Sequence, residues 1–138
     1  MNDFQHKYKL RIDWGDLDLF GHVNHLSILR YIQSARVSLL EKLDLMQMQA
    51  REKKGPILAS MNSQFRKPLF YPGEITVLSK IVWIKNTSFC VQHKILDQDN
   101  ETALEVQDII VFYDFIKNSK LKLPAEIRER MESLECLA

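Results

Sequence analysis

Gly15-Asp16-Leu17-Asp18-Leu19-Phe20-Gly21-His22-Val23-Asn24 separates two segments of different hydrophobic period, and reading it decides the fold. Ahead of it, over residues 8–14, Tyr8, Leu10, Ile12 and Trp14 fall on one side of the chain and Lys9, Arg11 and Asp13 on the other. A period of two predicts a half-buried strand. Behind it, over residues 25–43, Ile28, Ile32, Ala35, Leu39 and Leu43 recur at helical spacing, widened by Leu29, Tyr31 and Leu40. Only Ser27, Arg30, Ser34, Ser38 and Glu41 form a narrow polar band. A helix this apolar is expected to lie against something broad, such as a sheet. The stretch between reads as a loop, being rich in Gly, Asp and Asn. Asn24 is placed to cap the helix, its side-chain oxygen accepting from an N–H of the first turn.

Residues 44–54 are expected to form a second short helix or irregular cover that ends at Gly55-Pro56. Four strands are predicted beyond, at residues 57–67, 75–85, 88–97 and 102–115. Pro72-Gly73, Lys85-Asn86 and Asp97-Gln98-Asp99-Asn100 supply the turns between them. Ile109-Ile110-Val111-Phe112 is apolar on both faces, which predicts a central strand. A short charged helix is expected over residues 126–134. The order of strand, loop, buried helix and four strands belongs to the α+β class: one long central helix wrapped by a five-stranded antiparallel sheet.

At 138 residues the chain is expected to be a single domain, residues 1–138. Its formal net charge of +1 gives no electrostatic case for nucleic acid binding. The start, Met1-Asn2-Asp3-Phe4, has no apolar run, so neither a secretory signal nor a membrane span is expected. Cys90 and Cys136 have no metal or redox spacing, which points to a reduced, cytoplasmic protein. No metal and no cofactor is expected. His6 and His93 read as structural; Phe65, Phe70 and Phe89 read as core or interface.

Three stretches resemble the 4-hydroxybenzoyl-CoA thioesterase-like family. They are Asp16 to Asn24 leading into Leu29-Arg30-Tyr31 and Ala35-Arg36, then Phe65-Arg66-Lys67-Pro68-Leu69 with Tyr71-Pro72-Gly73-Glu74, and Trp83-Ile84-Lys85-Asn86-Thr87-Ser88-Phe89. The first is fairly specific, and the others gain weight from their order and spacing. The resemblance implies a hotdog fold, a homodimer joined edge to edge or a homotetramer, active sites between subunits, and an acyl-CoA or acyl-carrier-protein thioester as substrate. Other family members place a glutamate on the long helix. Here that region offers Gln33 and Ser34, with Glu41 only near the far end. Ile28 stands where a tyrosine is common in relatives, which leaves the acyl group open.

Thioester hydrolysis needs a nucleophile or a base that activates water, and donors aimed at the developing oxyanion. Asp18 is the expected carboxylate, with both roles open. The donors are expected from backbone N–H groups near Asn24 and His25, because helix N-termini carry unpaired N–H groups and partial positive charge. His25 enters through its N–H more than its imidazole. Gly21 permits an unusual backbone angle beside the substrate. His22 orients the loop or contacts substrate, and Asp16 reads as a turn or packing support. By resemblance Lys85, Thr87 and Ser88, with Arg66 and Lys67, hold the CoA moiety. For Asp18 the competing reading is an Asx-type turn; for the protein, competing readings are a non-catalytic acyl-binding module and a hydroxyacyl dehydratase.

Overall fold

The computed structural model describes residues 3–138. The elements run β1 (His6–Arg11), α1 (His25–Lys42), α2 (Leu45–Glu52), β2 (Lys54–Phe65), β3 (Glu74–Ile84), β4 (Ser88–Leu96), β5 (Thr102–Asp114), β6 (Ser119–Lys120) and α3 (Ala125–Glu132). The sheet has the order β1-β3-β4-β5-β2, with β6 pairing to β5, and its pairs are antiparallel. This is the expected hotdog architecture in an α+β chain. The 18-residue α1 is not the single helix of the wrapped plan: α2 and α3 form the short helices expected near residues 44–54 and 126–134, and β6 adds a sixth strand.

The helical stripe read from the sequence is the buried one: Ile28, Ile32, Ala35, Leu39 and Leu43 are all in the core. Ser27 departs from the expected polar band and is buried. Its N–H is drawn to the cap, donating to Asn24 Oδ1 at 2.8 Å. β1 also stops short of its expected end. Ile12 N–H still reaches the Gly73 carbonyl at 2.8 Å, but Asp13 N–H turns to Asp16 Oδ2 at 3.1 Å and residues 14–16 wind into a 3₁₀ turn. Trp14 is therefore 75% exposed and not on the buried side of a strand.

Gly55-Pro56 lies inside β2 and does not end α2. A Cβ on Gly55 would stand 2.5 Å from Gln49 Cβ, so α2 crosses this strand at a distance only glycine allows. β5 is interior, between β4 and β2. β2 lies at one edge of the order and exposes Ile57, Leu58 and Phe65.

The core is divided. Ser79, His93 and Asp108 form a buried polar row across β3, β4 and β5, and Arg36 of α1 meets it. Ser79 Oγ lies 2.7 Å from His93 Nδ1, His93 Nε2 lies 2.9 Å from Asp108 Oδ2, and Arg36 Nε donates to the same oxygen at 2.7 Å. On one side of the row Ile28, Ile32, Ala35, Val77, Ile95 and Val106 pack together; on the other, Leu39, Leu43, Phe89, Val91, Ile110 and Phe112. Burial opposes the charge on Asp108, but the His93 and Arg36 bonds outweigh it and hold its pKa below the ordinary value.

Candidate active site

The loop ahead of α1 is a closed hairpin. Leu17 and Val23 bridge, Asp18 N–H donates to the His22 carbonyl at 2.8 Å, and Gly21 N–H returns to the Asp18 carbonyl at 3.2 Å. Gly21 has φ +81°, a left-handed value that costs other residues about 1–2 kcal/mol. The Asp18 side chain takes part in this turn: Oδ1 accepts Phe20 N–H at 2.8 Å and His22 N–H at 3.3 Å. The Asx-type turn is thus present. It occupies one oxygen, while Oδ2 of this exposed residue has no hydrogen bond among the described residues.

Asn24 caps α1 as expected, but its own N–H is committed to the Asp16 carbonyl at 2.9 Å, and its Nδ2 donates to the same oxygen at 3.0 Å. Ser27 and Ile28 N–H groups are taken by the Asn24 side chain and carbonyl. The N–H groups of His25 and Leu26 have no acceptor among the described residues. They are the open donors of the first turn, where the helix dipole favours negative charge. Trp14, Gly15, Leu17 and Asp18 line an open pocket of about 310 Å³. Leu19, Phe20 and Leu26, in the same loop and the first turn of α1, are exposed.

His22 packs its ring edge on Phe70 with centroids 5.1 Å apart, and the two residues also bridge through the backbone. Arg66 and Lys67 lie near the same end of the molecule, just before Leu69, whose carbonyl accepts Val23 N–H. Both are paired: Arg66 Nη2 to Glu105 at 2.9 Å, and Lys67 Nζ to Asp97 at 2.7 Å and Glu101 at 2.9 Å. The Asp97, Asp99 and Glu101 carboxylates gather closely enough to suit a cation, but the Lys67 ammonium already binds two of them.

Lys85, Thr87 and Ser88 form the β3–β4 turn, closed by Lys85 N–H to the Ser88 carbonyl at 2.7 Å. Lys85 Nζ sits 4.4 Å over the Trp83 ring. The Asp18 loop adjoins the Gly73 end of β3 and this turn the other, a strand length of about 35 Å at the usual rise. Within one chain these residues do not meet Asp18.

Asp16, which the sequence marks only as a turn or packing support, is the most engaged residue of the loop. It is buried; its Oδ1 accepts Arg30 Nη2 at 2.5 Å, and its Oδ2 accepts Tyr31 Oη at 2.6 Å as well as Asp13 N–H. Burial raises its pKa, yet the Tyr31 bond, the backbone bond and the Arg30 charge bring it below the ordinary value. Tyr31 moves the other way, raised by burial and then by the Asp16 carboxylate. The one signal in the sequence is an aspartate two residues before Asp18; nothing in the spacing foretells that a helix tyrosine reaches it.

A long helix held by an antiparallel sheet of order β1-β3-β4-β5-β2, with the Asp18 loop leading into its N-terminus, is the hotdog arrangement. The profile of the thioesterase-like superfamily matches residues 12–131, and the chain belongs to that family. It is 24% identical over 119 residues to the long-chain acyl-CoA thioesterase FadM of Escherichia coli K12, covering 86% of this chain and 90% of that one. A thioesterase of Thermus thermophilus, solved with coenzyme A and zinc, superposes with TM-score 0.86 at 24% identity, over 98% of this chain and 97% of that one. PA2801, a thioesterase-class protein of Pseudomonas aeruginosa, gives 0.83 at 24% identity, over 91% and 97%. At such identity the solved structures speak for the fold.

Proposed function

We propose that this protein hydrolyses an acyl-CoA thioester, or the equivalent bond on an acyl carrier protein, to a free acid and a thiol. Asp18 Oδ2 is the reacting oxygen. As a base it takes a proton from water while the water oxygen bonds to the acyl carbon; as a nucleophile it bonds to that carbon itself and water then cleaves the anhydride. In both routes the C–S bond breaks and the thiolate leaves to take up a proton. The His25 and Leu26 N–H groups receive the acyl oxygen as it gains negative charge. Lys85, Thr87 and Ser88, with Arg66 and Lys67, are the proposed CoA contacts.

The observation that carries this reading is the split state of Asp18, one oxygen pinned by the loop and the other without a partner among the described residues, in the loop that leads into a helix end whose His25 and Leu26 N–H groups are open. The superfamily membership and the acyl-CoA activity named for FadM support it. We place the site between two copies joined along β2, an edge strand with exposed apolar residues that pairing would cover. Such a two-fold brings a partner's far turn within reach of Asp18, which one chain does not. Among the described residues no helix is long and apolar enough to cross a membrane. Both cysteines are free, which fits the cytoplasm.

A thiol-release assay over butyryl-, palmitoyl- and benzoyl-CoA, run beside Asp18→Asn, tests the reading. Turnover by the wild type and loss of about a hundredfold or more in the variant is expected. Wild-type turnover by Asp18→Asn would remove Asp18 from the mechanism. Tight acyl-CoA binding by the wild type with no thiol released would make the protein a binding module.

A further inference from the structure

Asp16 precedes Asp18 by two residues and ties the loop to α1 and its N-cap by side chain and backbone together. Its carbonyl receives Asn24 N–H and Asn24 Nδ2, at 2.9 and 3.0 Å. Its carboxylate receives Tyr31 Oη at 2.6 Å and Arg30 Nη2 at 2.5 Å, both from α1. The third bond, Asp13 N–H at 3.1 Å, fixes the chain that enters the loop. With these partners in place the carboxylate is buried and both of its oxygens are occupied. The tie reaches both halves of the proposed chemistry: Asp18 hangs from residue 16 on one side, and the N-cap that sets the His25 and Leu26 donors hangs from it on the other.

We infer that Asp16, gripped by Tyr31, is a positioning residue that fixes the spacing between the Asp18 carboxylate and the open N–H groups of α1. This rests on the proposed role of Asp18. Tyr31 Oη is the atom to remove, because its ring is already core and phenylalanine keeps that packing. Loosening the tie lets the loop and the helix end drift. A displacement of about an ångström between reacting groups costs on the order of a hundredfold in rate.

The test uses the full chain and palmitoyl-CoA, or whichever acyl-CoA of the panel is turned over. Tyr31→Phe is expected to lower kcat about ten- to a hundredfold with KM held within about twofold, since the pocket wall is untouched. In an Asp18→Asn background the same change should have no further effect, because both act on one step. Hydrogen exchange supplies a reading without turnover: amides from Leu17 to Leu26 should exchange faster in Tyr31→Phe, with β3 to β5 unchanged. Asp16→Asn, which keeps an acceptor for Tyr31, should lie between wild type and Asp16→Ala. Unchanged kcat and unchanged exchange in Tyr31→Phe overturn the inference. So does an equal loss of rate in the Asp18→Asn background, which marks a merely structural residue. If Asp18→Asn itself retains full turnover, the catalytic assignment fails instead, and the exchange result still decides whether Asp16 holds the loop.

Discussion

Asp108→Ala is the change with the largest expected effect on stability. Asp108 is fully buried, and its Oδ2 receives Arg36 at 2.7 Å and His93 at 2.9 Å. Truncation leaves a guanidinium and an imidazole in the core without their acceptor. Removing one member of such a buried pair costs about 3–5 kcal/mol, a large part of the roughly 5–15 kcal/mol that holds a domain folded. For a chain of this size that corresponds to a melting midpoint lower by about 10–20 °C. Far-UV circular dichroism during heating and in urea measures it, with Arg51→Ala as the exposed-pair control, expected to leave the midpoint nearly unmoved. A pH series adds a sign. The folded pKa of Asp108 lies below its ordinary 3.8, so its contribution is complete above that value and is lost as pH falls through the folded pKa. The gap between wild type and Asp108→Asn should therefore be constant near neutrality and close in acid below about pH 4. A loss in Asp108→Ala no larger than that of the control, or a gap that widens in acid, would refute the buried-pair reasoning.

Other changes probe other parts of the molecule. Asn24→Ala removes the acceptor of Ser27 N–H and the Nδ2 bond to Asp16; it should cost about 0.5–2 kcal/mol in urea unfolding and lower kcat more than it alters KM. Gly55→Ala forces a Cβ toward Gln49 and should destabilise by about 1–3 kcal/mol, read by the same melts, with α2 displaced. Leu58→Asp places a charge on the exposed β2 edge and should yield monomers in light scattering, with turnover lost alongside; a variant that stays paired would move the interface elsewhere.

Periodicity alone settles much of this protein. The i, i+3, i+4 spacing of Ile28, Ile32, Ala35 and Leu39 makes one side of α1 apolar in any fold, and these residues are the buried ones. Turn residues bound β3 to β5, and the loop chemistry of Asp18, Gly21 and Asn24 is local enough to read directly. Local rules fail where a partner lies far along the chain. Arg36 and Asp108 are 72 residues apart, and no period shows that two charged residues on different elements will be buried against each other. Tyr31 reads in sequence as a wider edge of the apolar stripe; only the return of the loop over the helix gives its hydroxyl an aspartate. Trp14 continues the alternation of β1 and is nonetheless exposed, because the Asp13–Asp16 turn ends the strand first. Sequence spacing determines which face of an element is apolar, since that depends on bond geometry repeated residue by residue. Which polar groups meet across elements depends on how those faces pack, and the tertiary structure alone decides that.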